Sequence, residues 1–241
     1  MTSSPTKSYA AVDLGSNSFQ MIVAKYEDER LQVVDRIKEM VRLASGLDDR
    51  NCLTEESMST AMSCLERFGQ RLREIPQIDI RAVGTNTLRV AVNGDEFLQQ
   101  GRQALGHPIE IISGQEEARL IYLGVAHSVY NETDKRLVVD IGGGSTELII
   151  GKGFNPYYVE SLYMGCVSTS RRFFPEGTIT RKKMRKAIVA SRQEMEALEA
   201  TYKKLSWDKA LGSSGTILAI YDVVKAQGWS DKGITLKSLH S

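Results

Sequence analysis

The sequence has few of the residues that staple or metallate small folds. Its cysteines are Cys52, Cys64 and Cys166, odd in number and without a CxxC pair, which argues against a disulfide framework or a structural zinc site. Its histidines, His107, His127 and His240, are scattered with no HExxH or HxxxH spacing. No apolar run reaches the roughly 18 residues of a membrane span, and no apolar h-region precedes the first strand-like run, so neither a membrane span nor a signal peptide is expected. An excess of charge of one sign is also missing. The net charge is +1, so any affinity for an anion must come from local patches. Neither a Walker-type phosphate loop nor GxGxxG occurs, which disfavours a P-loop NTPase and a Rossmann dehydrogenase. These absences fit a cytoplasmic protein with free thiols.

What is present is an ordinary globular balance, 41% hydrophobic and 25% charged over 241 residues, enough for one large domain or two modest ones. One internal repeat stands out. Ala11 to Lys25, AVDLGSNSFQMIVAK, aligns without gaps on Val138 to Lys152, VVDIGGGSTELIIGK, at a constant offset of 127 positions. The identical pairs are Val12/Val139, Asp13/Asp140, Gly15/Gly142, Ser18/Ser145, Ile22/Ile149 and Lys25/Lys152. That offset is too long for a solenoid unit and suggests two related domains, each opening with the same element.

Each copy reads strand, tight turn, strand. Tyr9 to Leu14 and Leu137 to Ile141 are the first strands, Phe19 to Ala24 and Leu148 to Ile150 the second. Third strands follow at Leu31 to Met40 and Tyr157 to Met164. In the first half, Glu55 to Glu74 carries apolar residues at helical spacing. Arg81 to Gly84 reads as a strand, Asp95 to Leu105 as a helix, Ile109 to Ile112 as a strand and Ser113 to Val125 as a helix. His127 to Lys135 is the linker candidate, so the expected domains are residues 1–126 and 127–241. In the second half, Arg181 to Lys204 reads as a long helix, Asp208 to Gly212 as a strand entering the turn GSSG, and Ile217 to Ala226 as a helix. Alternating strands and helices imply an α/β fold, with five strands in the first half and four in the second.

The turns carry the chemistry. Gly15, Gly142, Gly143 and Gly144 let the backbone come close to a ligand, and successive amides in such a turn form an anion nest. Ser16, Ser18, Ser145 and Thr146 add hydroxyls. Asp13 and Asp140 at the strand ends would repel phosphate alone, so a bridging divalent cation makes sense of them. Magnesium suits such oxygen ligands. Ser113 and Glu116 fit an S-x-x-E capping box. Glu117 has no capping duty, and is either a helix-dipole charge or a functional carboxylate. Arg89, in Thr85-Asn-Thr-Leu-Arg, suits a bidentate phosphate fork or a solvated surface. Arg171, Arg172, Arg181, Lys182, Lys183, Arg185 and Lys186 form a basic cluster that suits either a polyanion or a solvated helix start. No aromatic platforms are interleaved with it, so nucleic acid is not the expected partner.

Together AVDLGSNSF, GTNTLR, EIISGQEEARLIYLGV, DIGGGSTEL, MGCVS and GSSGT resemble the exopolyphosphatase and guanosine pentaphosphate phosphohydrolase family, within the actin and sugar-kinase superfamily. The resemblance implies two actin-like (ribonuclease H-like) phosphatase domains with mixed sheets and a cleft between them. It also implies a second domain longer than this chain supplies, so the chain is expected to be truncated. The implied activity is magnesium-dependent release of orthophosphate from guanosine pentaphosphate or inorganic polyphosphate. A kinase or ATPase of the same superfamily and a non-catalytic alarmone-binding module are the competing readings. Carried over by position, Glu117 is the catalytic base and Glu147 its acidic partner. Asp13, Asp140 and Glu147 lie at the metal. Gly15, Ser16, Asn17, Ser18, Arg89, Gly142, Gly143, Gly144, Ser145 and Thr146 hold phosphate. Ser214, Gly215 and Thr216 form the turn on the nucleoside side. For a full-length form the resemblance leaves room for a homodimer.

Overall fold

The two copies of the repeat fold into the same antiparallel hairpin, and each hairpin lies in its own α/β unit. The computed structural model describes residues 7–27, 30–129 and 133–241. In the first unit, β1 (Lys7–Leu14) pairs with β2 (Phe19–Glu27), which pairs with β3 (Arg30–Glu39). A short 3-10 helix (Leu43–Gly46) leads to α1 (Glu55–Arg73). Thr54 caps α1 by accepting from the Ser57 amide at 3.3 Å, supplying one of the acceptors a helix start lacks. Then come β4 (Ile78–Gly84), α2 (Asn86–Val90), α3 (Gly94–Leu105) and β5 (Ile109–Ile111). The sheet order is β3-β2-β1-β4-β5, with β4 parallel to both of its neighbours. Ala10, Val12 and Leu14 alternate onto the buried face of β1, as a period of two requires. They join Leu65 and Phe68 of α1 and Phe97 of α3 in one core.

The second unit contains α4 (Gly114–Ser128), β6 (Lys135–Ile141), β7 (Thr146–Lys152), β8 (Asn155–Leu162), α5 (Cys166–Phe173) and α6 (Arg181–Leu205). It ends with β9 (Lys209–Ser213), α7 (Ser214–Ala226) and α8 (Leu236–Leu239). Its sheet order is β8-β7-β6-β9, with β9 parallel to β6. Helices cover both faces. Ala118, Tyr122 and Ala126 of α4 pack on Val138 and Ile149, and Tyr202 of α6 packs on Leu137, Leu148, Ile150 and Leu162. A sheet buried on both faces needs apolar residues at successive positions, which is why β6 and β7 read as continuous apolar runs.

Among the described residues, the five and four strands agree with the sequence expectation. The division does not fall where the sequence suggested. The compact units are residues 1–113 and 114–241, because the apolar stripe of α4 is matched by Val138 and Ile149. The expected linker, residues 127–135, includes residues 130–132, which lie outside the described residues, and its first two residues continue α4. β7 is longer than expected and starts at Thr146, which brings Glu147 into the sheet. The short helices α2, α5 and α8 are too brief to leave a periodic signal. No helix among the described residues is long and apolar enough to cross a membrane.

Candidate functional site

The hairpins have identical registers. Asp13 faces Gln20 across β1 and β2, and Asp140 faces Glu147 across β6 and β7. The structure therefore makes Asp13 and Asp140 equivalents, and sets Glu147 where the first unit has an amide. Gly15 and Gly142 begin the equivalent turns. A Cβ at Gly15 would lie 2.9 Å from Ser18 O, and one at Gly142 would lie 3.2 Å from Ser145 O. The first turn folds back too tightly for a side chain at Gly15, and at Gly142 the Ser145 carbonyl would have to give by a few tenths of an ångström.

Each turn is held from behind. In the first unit the amides of Arg42 and Ala44 donate to Asn17 O at 2.8 Å and Ser16 O at 2.9 Å. In the second, the amides of Cys166 and Val167 donate to Gly142 O at 2.9 Å and Gly143 O at 2.8 Å. With the carbonyls tied back, the amides of Gly143 and Gly144 donate to no acceptor among the described residues. They are the free donors that an anion nest requires. Gly165 lies directly against this turn, where a Cβ would sit 2.5 Å from the Gly143 carbonyl.

In the first unit, Thr87 Oγ1 donates to Ser16 Oγ at 2.8 Å. Neighbouring Asn86 is 7% exposed, and its Nδ2 has no partner among the described residues. A buried amide donor left unmade costs about 1–3 kcal/mol, so an external acceptor beside it would be stabilising. Arg89 Nη1 donates to Ile112 O at 2.8 Å, so part of the expected fork also ties α2 to the end of β5.

In the second unit the structure brings Glu117, Asp140 and Glu147 together. Glu147 is 1% exposed and accepts from Ser161 Oγ at 2.8 Å. Burial pushes its carboxyl up to about 7, with a further upward push from the Glu117 charge and a smaller one from Asp140, opposed by hydrogen bonds from Ser161 and Ser145. Burial likewise raises the Asp140 carboxyl, against hydrogen bonding from Ser213 beside it. Glu116, one residue before Glu117, is gripped by Arg119, whose Nε and Nη2 donate to it at 2.7 and 2.8 Å. Glu116 is thus engaged along its own helix by Arg119.

Two of the expected hydroxyls are engaged within the fold. Thr146 Oγ1 donates to Met164 O at 2.6 Å, so its one hydroxyl hydrogen is committed to the fold and is withdrawn from the donors expected at phosphate. Ser214 begins α7 at φ 72° and donates to Ile141 O at 2.8 Å, so it braces the Asp140 strand. Gly215 beside it is exposed and open. Sequence reasoning missed Ser161, which becomes meaningful only through its register opposite Glu147, as well as Ser213 and the buried Asn86.

Among the described residues, no three His, Cys, Asp or Glu side chains are close enough to hold a metal by themselves. Asp140 and Glu147 are hard oxygen donors whose charge the surroundings disfavour. That donor set fits a magnesium-type cation, which takes one or two carboxylates and completes its shell with water and substrate phosphate.

Two α/β units, each built on a glycine-turn hairpin of the same register, define an actin-like fold. The chain matches the Ppx/GppA phosphatase family over residues 22–241, and it belongs to that family. It is 48% identical over 223 residues to the guanosine-5'-triphosphate,3'-diphosphate pyrophosphatase of Vibrio vulnificus, covering 92% of this chain and 45% of that protein. The Vibrio cholerae protein of the same name is 47% identical over 231 residues, covering 96% of this chain and 46% of that one. The chain thus spans about half the length of the curated relatives it matches. The Aquifex aeolicus PPX-GPPA enzyme superimposes with a TM-score of 0.73 at 28% identity, covering 92% of this chain and 72% of that one. An exopolyphosphatase-like protein superimposes at 0.84 and 27% identity, covering 92% and 70%.

Proposed function

We propose that this chain carries the hydrolytic machinery for the terminal phosphoanhydride of a polyphosphorylated anion, and that its substrate is guanosine pentaphosphate or inorganic polyphosphate. The observation that carries the reading is the buried Glu147 set beside Glu117 and Asp140, next to a turn with unsatisfied amides. The free amides of Gly143 and Gly144 are suited to bind the terminal phosphoryl group. The Ser16 hydroxyl, positioned by Thr87, and the Asn86 amide provide donors of the same kind in the first unit. Glu117 serves as general base. It takes a proton from water as the water oxygen attacks phosphorus and the anhydride P–O bond breaks. Glu147, fixed by Ser161, orients that water. Asp140 and Glu147 are the carboxylates offered to a divalent cation in the second unit, and Asp13 is the equivalent carboxylate of the first hairpin. Such a cation, magnesium by the oxygen donors, would neutralise phosphate charge when bound. The pyrophosphatase name of the Vibrio relatives supports guanosine pentaphosphate, and the name of the exopolyphosphatase-like structure supports polyphosphate.

The test is orthophosphate release from both substrates, with and without magnesium, by the parent and by Asp140→Asn. The parent should release phosphate only with the cation, and Asp140→Asn should raise the magnesium concentration required while lowering turnover. Binding of guanosine pentaphosphate without release from either substrate would replace this reading with that of a binding module.

A further inference from the structure

The turn of the first hairpin is braced by a residue whose backbone local rules disfavour. Arg42 has φ 54° and ψ 39°. That left-handed region is unfavourable for a residue with a Cβ, and glycine, asparagine or aspartate ordinarily fill it. The surroundings hold Arg42 there. Its amide donates to Asn17 O at 2.8 Å, and its carbonyl accepts from the Ser45 amide at 2.9 Å. Val41, Leu43 and Ala44 beside it are buried. Glycine at position 42 would make the same backbone bonds without the strain, so the backbone does not account for an arginine.

The fold does not use the side chain either. Arg42 is exposed, and among the described residues its guanidinium has no hydrogen bond or ion pair. The acids of the preceding strand are taken by α1, Glu39 by Arg67 and Asp35 by Arg71. Asp48, beyond the 3-10 helix, accepts from the amides of Arg50 and Cys52 at 2.8 Å each. A permanently charged fork therefore starts beside the turn with no carboxylate to pair it. From α2, the same turn is met by Thr87, which holds the Ser16 hydroxyl, and the neighbouring buried Asn86 amide lacks an acceptor. Strain that the fold does not exploit marks a functional position.

We propose that Arg42 is a catalytic residue whose guanidinium grips the phosphate on the leaving side of the scissile anhydride. The inference rests on the proposed phosphohydrolase reading, which gives the terminal phosphoryl group to the Gly143 and Gly144 amides. When the P–O bond breaks, its electron pair stays on the leaving oxygen. The added negative charge strengthens a bidentate contact from the fork. Arg42 thus binds the transition state more tightly than the substrate, which raises kcat as well as affinity.

The experiment compares the parent with Arg42→Gly and Arg42→Lys. Tripolyphosphate binding is measured by calorimetry and phosphate release from tripolyphosphate and guanosine pentaphosphate by steady-state kinetics. Arg42→Gly should bind tripolyphosphate about tenfold more weakly and lose roughly a further 10- to 100-fold in kcat on both substrates, as for a charged hydrogen bond. Its melting temperature should equal or exceed the parent's, since glycine relieves the strain. Free guanidinium at a low, non-denaturing concentration should restore part of its kcat, and Arg42→Lys should fall between the other two. Unchanged affinity and kcat in Arg42→Gly overturn the proposal. So does a loss that comes with a lower melting temperature and no rescue, which is the signature of a purely structural residue. If the parent releases no phosphate from either substrate while Arg42→Gly binds tripolyphosphate more weakly, the hydrolytic reading falls and the phosphate contact of Arg42 stands. Parent release with an unaffected variant does the reverse.

Discussion

Replacing Glu147 by glutamine should stabilise the metal-free protein, by an amount that grows as pH rises from about 4.5 to about 7 and is constant above that. The side chain is 1% exposed, and burial with two acidic neighbours pushes its carboxyl from 4.5 to about 7. The folded state therefore holds a proton that the unfolded state releases between those values. The protonated form's contribution to stability is complete below about pH 4.5 and is lost as pH rises through about 7. At 1.36 kcal/mol per unit, the loss amounts to about 3 kcal/mol. Glutamine keeps the volume and the oxygen that accepts from Ser161, and it never ionises. With a chelator present, the parent and Glu147→Gln should melt alike near pH 5. By pH 8 to 9 the variant should melt higher by about 6 to 12 °C, using about 2 to 4 °C per kcal/mol for chains of this size. Thermal melts from pH 5 to 9 provide the comparison. Equal pH slopes for the two proteins would refute the claim that burial sets this carboxyl. Magnesium should then raise the parent's melting point at pH 8 more than the variant's, because only the parent offers a second carboxylate.

Glu117→Gln should lower phosphate release by roughly 10²- to 10⁴-fold and leave substrate affinity equal or tighter. It should also move the Glu147 carboxyl back toward its ordinary value, because the Glu117 charge is the second-largest upward push. A pH–rate profile with an unmoved limb would contradict that coupling. Arg89→Lys should lose the bond from Nη1 to Ile112 O, lowering stability by about 1 kcal/mol and phosphate release at every chain length. A loss confined to long polyphosphate would place Arg89 in a guiding surface instead. Gly165→Ala should depress phosphate release by displacing the Gly143 carbonyl, which a new Cβ would approach to 2.5 Å, and overpacking of this kind costs about 1–3 kcal/mol. Gly215→Ala, where a Cβ meets nothing within 4 Å, should leave the melting temperature nearly unchanged.

The sequence by itself determined the hairpins, the turns and the duplication. Strand periodicity, glycine at tight turns and a constant offset are local signals, and Asp13 and Asp140 fall where those signals place them. It also separated Glu116 from Glu117, since one residue is a rotation of about 100° on a helix. Four other features were decided only by tertiary structure. The α4 helix belongs with the second sheet because its small and aromatic stripe, Ala118, Tyr122 and Ala126, is matched by Val138 and Ile149, a fit that no window of the chain contains. Thr146 looks like any turn hydroxyl until β7 extends through it and turns it to Met164 O. Ser161 is an ordinary strand serine until register sets it opposite Glu147. The basic run on α6 is indistinguishable from a solvated helix start until α5 folds Arg172 and Phe173 against it. Periodicity follows from neighbours along the chain, whereas burial, pairing and charge density depend on residues far apart in sequence. For that reason the glycine turns were legible in the chain, while the environment that raises the Glu147 carboxyl was not.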